Sequence, residues 1–395
     1  MHKKAFQFGA GNIGRGFLGQ LFFESGYHTT FIDVVPEIIH LLNQRHEYPI
    51  RIVSDTSTTI TVSNVSAVSA SDTAAVAAVV AESEIGATAV GVNVLPKIAP
   101  LLAEGISRRF EKTDAPPLNI IVCENLLNAG PYLREQVRQH LPDKYHAALH
   151  EKVGFVEASI GRMVPIMTER EKAEDPLLIC VEPYCDLPVD AAGFKGPIPN
   201  ILHMHPMNNF GAYVKRKLFV HNMSHAVAAY LGYLKGHKYI WQAVTDPSVR
   251  SIVRAALNET CAGLSAKHGL DRAALDAHAE DLLRRYENRA LGDQITRIAK
   301  DPVRKLGPRD RLIGSCLMCL EQGIVPSHVA MGAAAALFYD HPDDSAAQEI
   351  QELRESEGVE GVLQKICRID TNSHLAWLIF YAIDRLRKEQ WLKSP

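Results

Sequence analysis

Three residues in the segment KRKLFVHNMSHAVAAYLG carry groups that could do chemistry rather than only hold a ligand. Lys217 is followed by Asn222 and then by His225. On an α-helix, with about 100° of rotation per residue, His225 lies roughly 80° and Asn222 roughly 140° from Lys217. The amine, the amide and the imidazole therefore share one face of the predicted helix.

The other face of this helix is apolar, with Phe219, Met223, Ala226 and Tyr230 at the spacing of a packed helical strip. A solvated polar face would carry many charges, whereas this one carries a single lysine among histidine and alanine residues. The pattern is typical of a lined pocket. A partly exposed helix with incidental polar residues is the alternative interpretation.

A glycine-rich loop near the N-terminus predicts a dinucleotide site. Residues 5–14 read AFQFGAGNIG, so Gly9, Gly11 and Gly14 have the G-x-G-x-x-G spacing between an apolar run and a helical pattern. Gly9 permits the tight turn, Gly11 lets the backbone approach a pyrophosphate, and Gly14 allows the helix to pack closely on the strand. The N–H groups at the start of the helix then face the phosphates.

The next strand-like run, YHTTFID, ends in Asp33. Its carboxylate can accept hydrogen bonds from the adenosine ribose and would repel a 2′-phosphate, so we predict NAD as the cofactor. The predicted cofactor contacts are the loop, Asp33 and two residues at the ends of later strands: Gly9, Ala10, Gly11, Asn12, Ile13, Gly14, Arg15, Asp33, Val90 and Glu124.

The spacing of apolar residues changes along the chain. Strand and helix patterns alternate up to about residue 125, whereas long helical patterns dominate from about residue 207. We therefore predict an α/β protein, with an N-terminal Rossmann-type doubly wound sheet domain (1–204) followed by a mostly α-helical C-terminal domain (205–395). The alanine-rich run ASDTAAVAAVVAES is predicted to be a crossover helix.

Composition narrows the class of protein. The net charge of -3 gives no electrostatic case for binding nucleic acid or an anionic membrane. No apolar run has transmembrane length and the first residues lack a signal-peptide core, so we expect a soluble cytoplasmic protein, monomeric or a small homo-oligomer.

Cysteine and histidine usage predicts no metal site. The seven cysteines are odd in number and scattered, which argues against a disulfide framework. Cys316 and Cys319 form a C-x-x-C, but it lies within LIGSCLMCLEQG, which predicts a buried helix. His203 and His205 lie in a predicted linker without ligand partners at metal-binding spacing.

Four segments together resemble the polyol-specific long-chain dehydrogenase family, also called the mannitol dehydrogenase family. They are GAGNIGRGF at the start, ENLL after the NIIVC strand, RKLF followed by Asn222 and His225, and DPVRKLGPRDRLI at 301–313. The resemblance covers nearly the whole chain. It is greatest to members that act on polyol phosphates, and its K-x-x-x-x-N-x-x-H motif is much more specific than the glycine loop.

The resemblance implies a metal-independent, NAD-linked oxidation of a secondary alcohol to a ketone. Lys217 would be the general base, Asn222 and Asn125 would hydrogen-bond the oxygen, and His225 would help to place it. A lysine in water has a pKa near about 10.4, so it becomes a base only where burial and a nearby positive charge lower that pKa. The favoured substrate pair is mannitol 1-phosphate and fructose 6-phosphate.

Two departures from the family pattern bear on the choice of substrate. The family commonly has aspartate before Arg162, where this chain has Gly161, and phosphate-using members have arginine and glycine soon after Asn125, where this chain reads LLNAG. Arg304 and Lys305 are candidate phosphate contacts, although an ion pair with Asp310 would serve equally.

Three other functions stay open at this stage. The first is oxidation of an unphosphorylated polyol or an aldonate by the same lysine. The second is a catalytically idle NAD-binding protein. The presence of the lysine, the histidine and both asparagines argues against it, because cofactor binding alone does not require them. The third is a 6-phosphogluconate-type decarboxylating dehydrogenase, which also joins this kind of sheet to a helical domain and would release carbon dioxide.

Overall fold

The computed structural model describes residues 3–54, 56–112, 114–165 and 167–392. The chain divides into two compact units, a sheet unit (Met1–Phe210) and a helical unit (Gly211–Pro395). The predicted fold class is confirmed, since a parallel sheet with flanking helices is followed by a mostly helical unit. The predicted boundary after residue 204 falls inside a short strand, Met204–Met207.

The sheet unit contains eleven strands among its described residues. They are β1 (Lys3–Phe8), β2 (Tyr27–Asp33), β3 (Glu47–Ile52), β4 (Thr58–Ser63), β5 (Val65–Ser69), β6 (Ile85–Thr88), β7 (Leu118–Val122), β8 (Val153–Glu157), β9 (Ile179–Val181), β10 (Leu187–Asp190) and β11 (Met204–Met207). The main sheet has the order β5-β2-β1-β6-β7-β8, and all its strand pairs are parallel.

Helices connect these strands. They are α1 (Gln20–Glu24), α2 (Pro36–Arg45), α3 (Thr73–Glu82), α4 (Leu95–Phe110), α5 (Ala129–His140), α6 (His146–Lys152) and α7 (Glu169–Glu174), with a π-helix at Gly14–Gly19 and 3₁₀ turns at Val92–Val94, Asp143–Tyr145 and Ala191–Gly193. The alanine-rich crossover helix is confirmed as α3, whose start is capped by the Asp72 carboxylate.

Both faces of the main sheet are buried, which explains its continuous apolar strands. Successive side chains of β1 enter different clusters: Ala5 packs with Phe17 and Leu21 on one face, and Phe6 packs with Val80 and others on the opposite face. This is the period of two that a pleated strand imposes. The sheet is therefore held from both sides, and the ends of its strands are fixed.

Two smaller sheets complete this unit. Strands β3 and β4 form an antiparallel pair, and β3 also pairs in parallel with β9. Strands β10 and β11 form a parallel pair, so the segment predicted to be a linker around His203 and His205 contains a strand.

The helical unit opens with α8 (Phe210–Arg216), a π-helix (Lys217–Asn222) and α9 (Met223–Leu234). Its other helices are α10 (Ile240–Thr245), α11 (Pro247–His268), α12 (Arg272–Tyr286), α13 (Ile295–Ala299), α14 (Pro302–Lys305), α15 (Ile313–Glu321), α16 (Ser327–Ala336), α17 (Ser345–Lys365) and α18 (His374–Lys388), with a 3₁₀ turn at Arg289–Leu291.

Helix α9 lies at the centre of this unit and packs against α10, α11, α13 and α16. Most of its residues are buried, as expected of a helix that is apolar nearly all round. Within the described ranges, no helix is both long and apolar enough to span a membrane.

Candidate active site

The glycine loop leaves β1 through a left-handed residue. Gly9 has φ 89°, and a Cβ there would lie 2.5 Å from the carbonyl oxygen of Ala89. A Cβ on Gly14 would lie 1.9 Å from the carbonyl oxygen of Gly9, so only glycine allows the helix to start this close to the strand. By contrast, a Cβ on Gly11 would meet no atom within 4 Å. The backbone at Gly11 is therefore open to a ligand.

The helix after this loop begins as a π-helix and is held by two buried arginines. Arg15 Nε donates to the carbonyl oxygen of Ala10 (2.5 Å), and its Nη1 donates to that of Leu177 (2.6 Å). Arg162 Nη1 donates to the carbonyl oxygen of Gly16 at 3.0 Å. The Arg15 guanidinium therefore supports the loop from inside, whereas Asn12 is exposed at its tip.

Asp33, at the end of β2, is bonded directly to the glycine loop. Its Oδ2 accepts the N–H of Ala10 at 2.6 Å, and its Oδ1 accepts those of Val34 (2.7 Å) and Val35 (3.0 Å). A carboxylate has about four acceptor positions, so capacity remains for ribose hydroxyls. Val34 is 75% exposed, which places apolar surface next to this carboxylate.

The ends of β6 and β7 meet through Glu124. Its carboxylate accepts Thr88 Oγ1 at 2.7 Å and the N–H of Val90 at 3.0 Å. Burial raises the pKa of Glu124, and these hydrogen bonds oppose that rise. Val90 in turn lies beside Gly9, because a Cβ on Gly9 would come within 3.2 Å of Val90 Cγ1. The residues predicted to bind the cofactor thus gather at one edge of the sheet, with Asn125 exposed beside Glu124.

In the helical unit, the predicted α-helical geometry around Lys217 is wrong in one respect. Residues Lys217–Asn222 form a π-helix, and the α-helix resumes at Met223. A π-helix bonds residue i to residue i+5, so positions five apart lie nearer to one face than they do on an α-helix. Lys217 and Asn222 are the two ends of that segment, and both are half-buried. The π-helix therefore brings these two positions nearer to the same face of the helix.

His225, one turn further on, is fixed at its edge by a carboxylate. Its Nε2 lies 2.8 Å from Asp293 Oδ2, and Arg297 pairs with the other oxygen of Asp293. Asp293 is 8% exposed; burial alone would raise its pKa, but the charges of His225 and Arg297 hold it below its ordinary value. Whenever the ring is uncharged, the Asp293 carboxylate selects the form with hydrogen on Nε2 and leaves Nδ1 as an acceptor.

Tyr286 holds the same histidine by its face. The two rings stack with centroids 4.8 Å apart and planes 14° apart. The Tyr286 hydroxyl donates to the carbonyl oxygen of His221 at 2.9 Å. The same carbonyl oxygen accepts a hydrogen bond from the Ser224 hydroxyl at 3.1 Å. Two side-chain hydroxyls thus supply hydrogen bonds to a backbone carbonyl where the π-helix meets α9 and the regular pattern of backbone hydrogen bonds changes.

The surroundings of this helix are positively charged. Burial and the charges of Arg285, His225, His278 and Lys217 hold the pKa of His221 well below its ordinary value. Burial, Arg216 and Arg285 lower the pKa of His278 to about 3. Both rings are therefore neutral at physiological pH.

Two domain matches decide the family. The mannitol dehydrogenase Rossmann domain matches residues 3–203, and the mannitol dehydrogenase C-terminal domain matches residues 209–386. The chain belongs to the mannitol dehydrogenase family. The resemblance stated from the sequence is thus confirmed at the level of the family, and the match opposes the decarboxylating alternative.

Solved structures with the same fold include two polyol dehydrogenases. A Pseudomonas fluorescens mannitol 2-dehydrogenase, in ternary complex with NAD and D-mannitol, is 16% identical with a TM-score of 0.74, over 99% of this chain and 93% of that one. A D-sorbitol dehydrogenase in substrate-free form is 16% identical with a TM-score of 0.83, over 98% of this chain and 93% of that one. At this identity the likeness shows the shared fold alone.

In this mannitol dehydrogenase family member, the two predicted phosphate contacts have different environments. Arg304 is exposed and donates to Asp301 (2.7 Å) and Asp310 (3.1 Å), so the ion pair considered from the sequence is present. Lys305 is 4% exposed. Burial and the neighbouring charges of Arg311 and Arg304 lower the pKa of Lys305 to about 8. A buried lysine of this kind is typical of functional sites.

Sequence reasoning missed the residues that hold the predicted ones. Tyr286, Ser224, Arg297 and Asp293 belong to no motif that the sequence displays. Neither of the departures from the family pattern carries a charge. A Cβ on Gly161 would lie 3.3 Å from Tyr184, and Asn128 adopts φ 57° before α5.

Among the described residues, no group of three or more His, Cys, Asp or Glu side chains could hold a metal ion.

Proposed function

We propose that this protein is an NAD-dependent polyol dehydrogenase that interconverts mannitol 1-phosphate and fructose 6-phosphate, with Lys217 as the general base in place of a metal ion. The observation that carries the proposal is the lysine, asparagine and histidine set at the π-helix. It lies within the segment that matches the family's C-terminal domain. Cofactor binding alone does not require these three residues.

The residues at the edge of the sheet suit NAD. The open backbone at Gly11 offers room and N–H groups to a pyrophosphate, and Asp33 keeps acceptor capacity for ribose hydroxyls. The exposed Val34 and Val35 offer apolar contact to an adenine ring. NAD, when bound, takes the hydride from the carbinol carbon of the substrate.

Residues of this chain accept the proton of the substrate hydroxyl and hydrogen-bond its oxygen. Lys217 Nζ takes the hydroxyl proton as the carbon loses hydride, so that an alcohol becomes a ketone. The amide of Asn222 donates to the oxygen as its negative charge grows, and the family resemblance implies the same role for Asn125. His225 orients the hydroxyl through Nδ1, because its Nε2 is committed to Asp293. Proton transfer by a placed side chain contributes a factor of roughly 10²–10⁴ to the rate.

A free polyol is the second candidate substrate. The structures of similar fold include a mannitol 2-dehydrogenase bound to D-mannitol, which carries no phosphate. Gly161 stands where the family commonly has aspartate, and Asn128 lies in the segment where phosphate-using relatives have an arginine. An aldonate oxidised by the same lysine belongs to this class as well.

The deciding experiment measures NADH-dependent reduction of fructose 6-phosphate, fructose and other keto sugars by the purified protein. We expect fructose 6-phosphate to have the highest kcat/KM. Activity on fructose without activity on its phosphate would move the assignment to a free-polyol dehydrogenase. Failure on every substrate of the panel would contradict a polyol dehydrogenase.

The first prediction tests the base. Lys217→Ala should lower kcat by roughly 10²–10⁴-fold, while NAD affinity, measured by fluorescence titration, stays within about twofold of the wild type. The matched control is Lys215→Ala, since Lys215 is also half-buried and contacts the ring of Phe219 (5.3 Å). Full activity of Lys217→Ala would remove Lys217 from the mechanism.

A further inference from the structure

A polar cavity that is open to solvent lies in the helical unit, between the loop after α14 and the turn after α17. Its volume is about 520 Å³, which is within the range of small-ligand sites. Lys305 does not line it, and neither do Lys217, Asn222 or His225. Its lining residues are Arg304, Gly307, Pro308, Arg309, Asp310 and Arg368.

The lining carries an excess of positive charge, with three arginines and one carboxylate. That carboxylate, Asp310, is already shared between Arg304 (3.1 Å) and Arg311 (2.7 Å). Arg309 and Arg368 are exposed, and neither makes an ion pair or side-chain hydrogen bond within the part of the chain that the structure describes. Two guanidinium groups are therefore available to an anion.

Both arginines are carried by backbone that is fixed in place. The loop before α15 is held by bonds from the N–H of Gly307 to the carbonyl oxygen of Arg304 (3.0 Å) and from the N–H of Asp310 to that of Gly307 (3.0 Å). Arg368 has a left-handed backbone, with φ 53°. The buried Cys367 and Ile369 on either side hold it there. A side chain on left-handed backbone persists where its neighbours over-determine it.

The loop that lines the cavity lies close to the helix that carries Lys217. A Cβ on Gly314 would lie 3.3 Å from the ring of Phe219 and 3.1 Å from the backbone of Arg309. Gly314 thus separates the loop from Phe219, two residues beyond Lys217, by little more than the width of a backbone. A ligand bound in the cavity would therefore contact a loop that lies next to the lysine helix.

We propose that this cavity binds a phosphate monoester of sugar-phosphate size through Arg309 and Arg368, an assignment that rests on the proposed function for the identity of the sugar. Guanidinium groups present paired N–H donors that match phosphate oxygens. The monoester is either the phosphate of the substrate or that of a separate effector. Both sources present the same group to the arginines.

Calorimetric titration of the full-length protein with inorganic phosphate, at low chloride, tests the site directly. The double substitution Arg309→Gln and Arg368→Gln should weaken phosphate binding roughly tenfold or more. Arg387→Gln is the matched control, because Arg387 is a comparably exposed arginine on α18. The substituted side chains are exposed, so thermal unfolding should be unchanged. Phosphate affinity equal to that of the wild type in the double variant would overturn the proposal.

Kinetics distinguish the two sources. If the substrate phosphate occupies the cavity, the double variant raises KM for fructose 6-phosphate roughly tenfold and leaves turnover of fructose unchanged. If an effector occupies it, phosphate binding is lost and KM for fructose 6-phosphate is unaffected. A wild-type protein that binds phosphate at these arginines but reduces no sugar phosphate would keep this site and contradict the proposed function.

Discussion

His225 is held from two directions, by the Asp293 carboxylate at its edge and by the Tyr286 ring at its face. The first contact selects which ring nitrogen carries hydrogen, and the second fixes the plane of the ring. Neither partner was part of the motif that drew attention to the histidine. The orientation of this side chain is thus set by residues on other segments of the helical unit.

Replacing Asp293 tests this arrangement. Asp293→Asn keeps the shape of the side chain but lets an amide donate to Nε2, which favours the wrong ring form. We expect kcat with the best keto sugar to fall roughly 10–100-fold while NAD affinity is retained. Steady-state kinetics across a pH range would measure the change.

A substitution at a similar acid provides the control. Asp281→Asn removes a carboxylate from α12 that pairs with Arg284 at 3.2 Å. It should leave kcat and the pH profile unchanged. Equal losses in the two variants would mean that Asp293 acts only through stability.

Burial of the Lys305 ammonium lowers the free energy of unfolding by an amount that depends on pH. Its folded pKa is about 8, below the value of about 10.4 for an exposed lysine. Below the folded pKa both states are charged, and the folded state bears the full cost of the buried ammonium. As pH rises between the two values, the folded state loses its proton first, so that this cost is relieved.

We therefore expect Lys305→Met to raise the free energy of unfolding near neutral pH, by about 1–3 kcal/mol. The gain should vanish above a pH of about 10.4, where the lysine is neutral in both states. Urea denaturation at the two pH values measures it, with the exposed Lys300→Met as control. A loss of stability near neutral pH would contradict the assigned burial cost.

At the scale of secondary structure, both predicted functional segments contain a π-helix, at Gly14–Gly19 and at Lys217–Asn222. Such segments are rare and occur frequently at functional sites. The sequence pattern was interpreted with the α-helical period, which placed the three polar residues on one face but misjudged their relative angles. Hydrogen bonding from i to i+5 has no distinct apolar period over six residues, so only the structure reveals it.

The glycine loop allows a matched pair of substitutions. Gly14→Ala places a methyl group 1.9 Å from the carbonyl oxygen of Gly9, so it should destabilise the fold by about 1–3 kcal/mol or more. Gly11→Ala meets no protein atom within 4 Å and should change stability by less than about 0.5 kcal/mol. It should nevertheless weaken NAD binding, because the methyl group occupies the approach to the pyrophosphate.

Thermal unfolding and NAD titration separate the two effects. Unaltered NAD affinity in Gly11→Ala would mean that the cofactor does not approach the loop at that residue. Unaltered stability in Gly14→Ala would mean that the start of the helix shifts to accommodate the methyl group.

At the scale of the whole molecule, the low net charge of -3 conceals strong local differences. Cationic side chains lie near the lysine helix and line the cavity beside α14, although the chain as a whole is slightly acidic. Composition therefore argues against general attraction to polyanions but says nothing about single sites for small anions. The matches to two family domains agree with a chain built from a sheet unit and a helical unit.

The sequence alone determined the fold class, the glycine loop and the lysine motif, because each is written in local spacing: glycines between strand and helix, and apolar residues at the helical period. The tertiary structure decided that Asp293, sixty-eight positions after His225, is its partner, that the Arg15 guanidinium supports the loop from within, and that Lys217–Asn222 is a π-helix. These features depend on packing between distant segments, and no short-range pattern records which segments pack together.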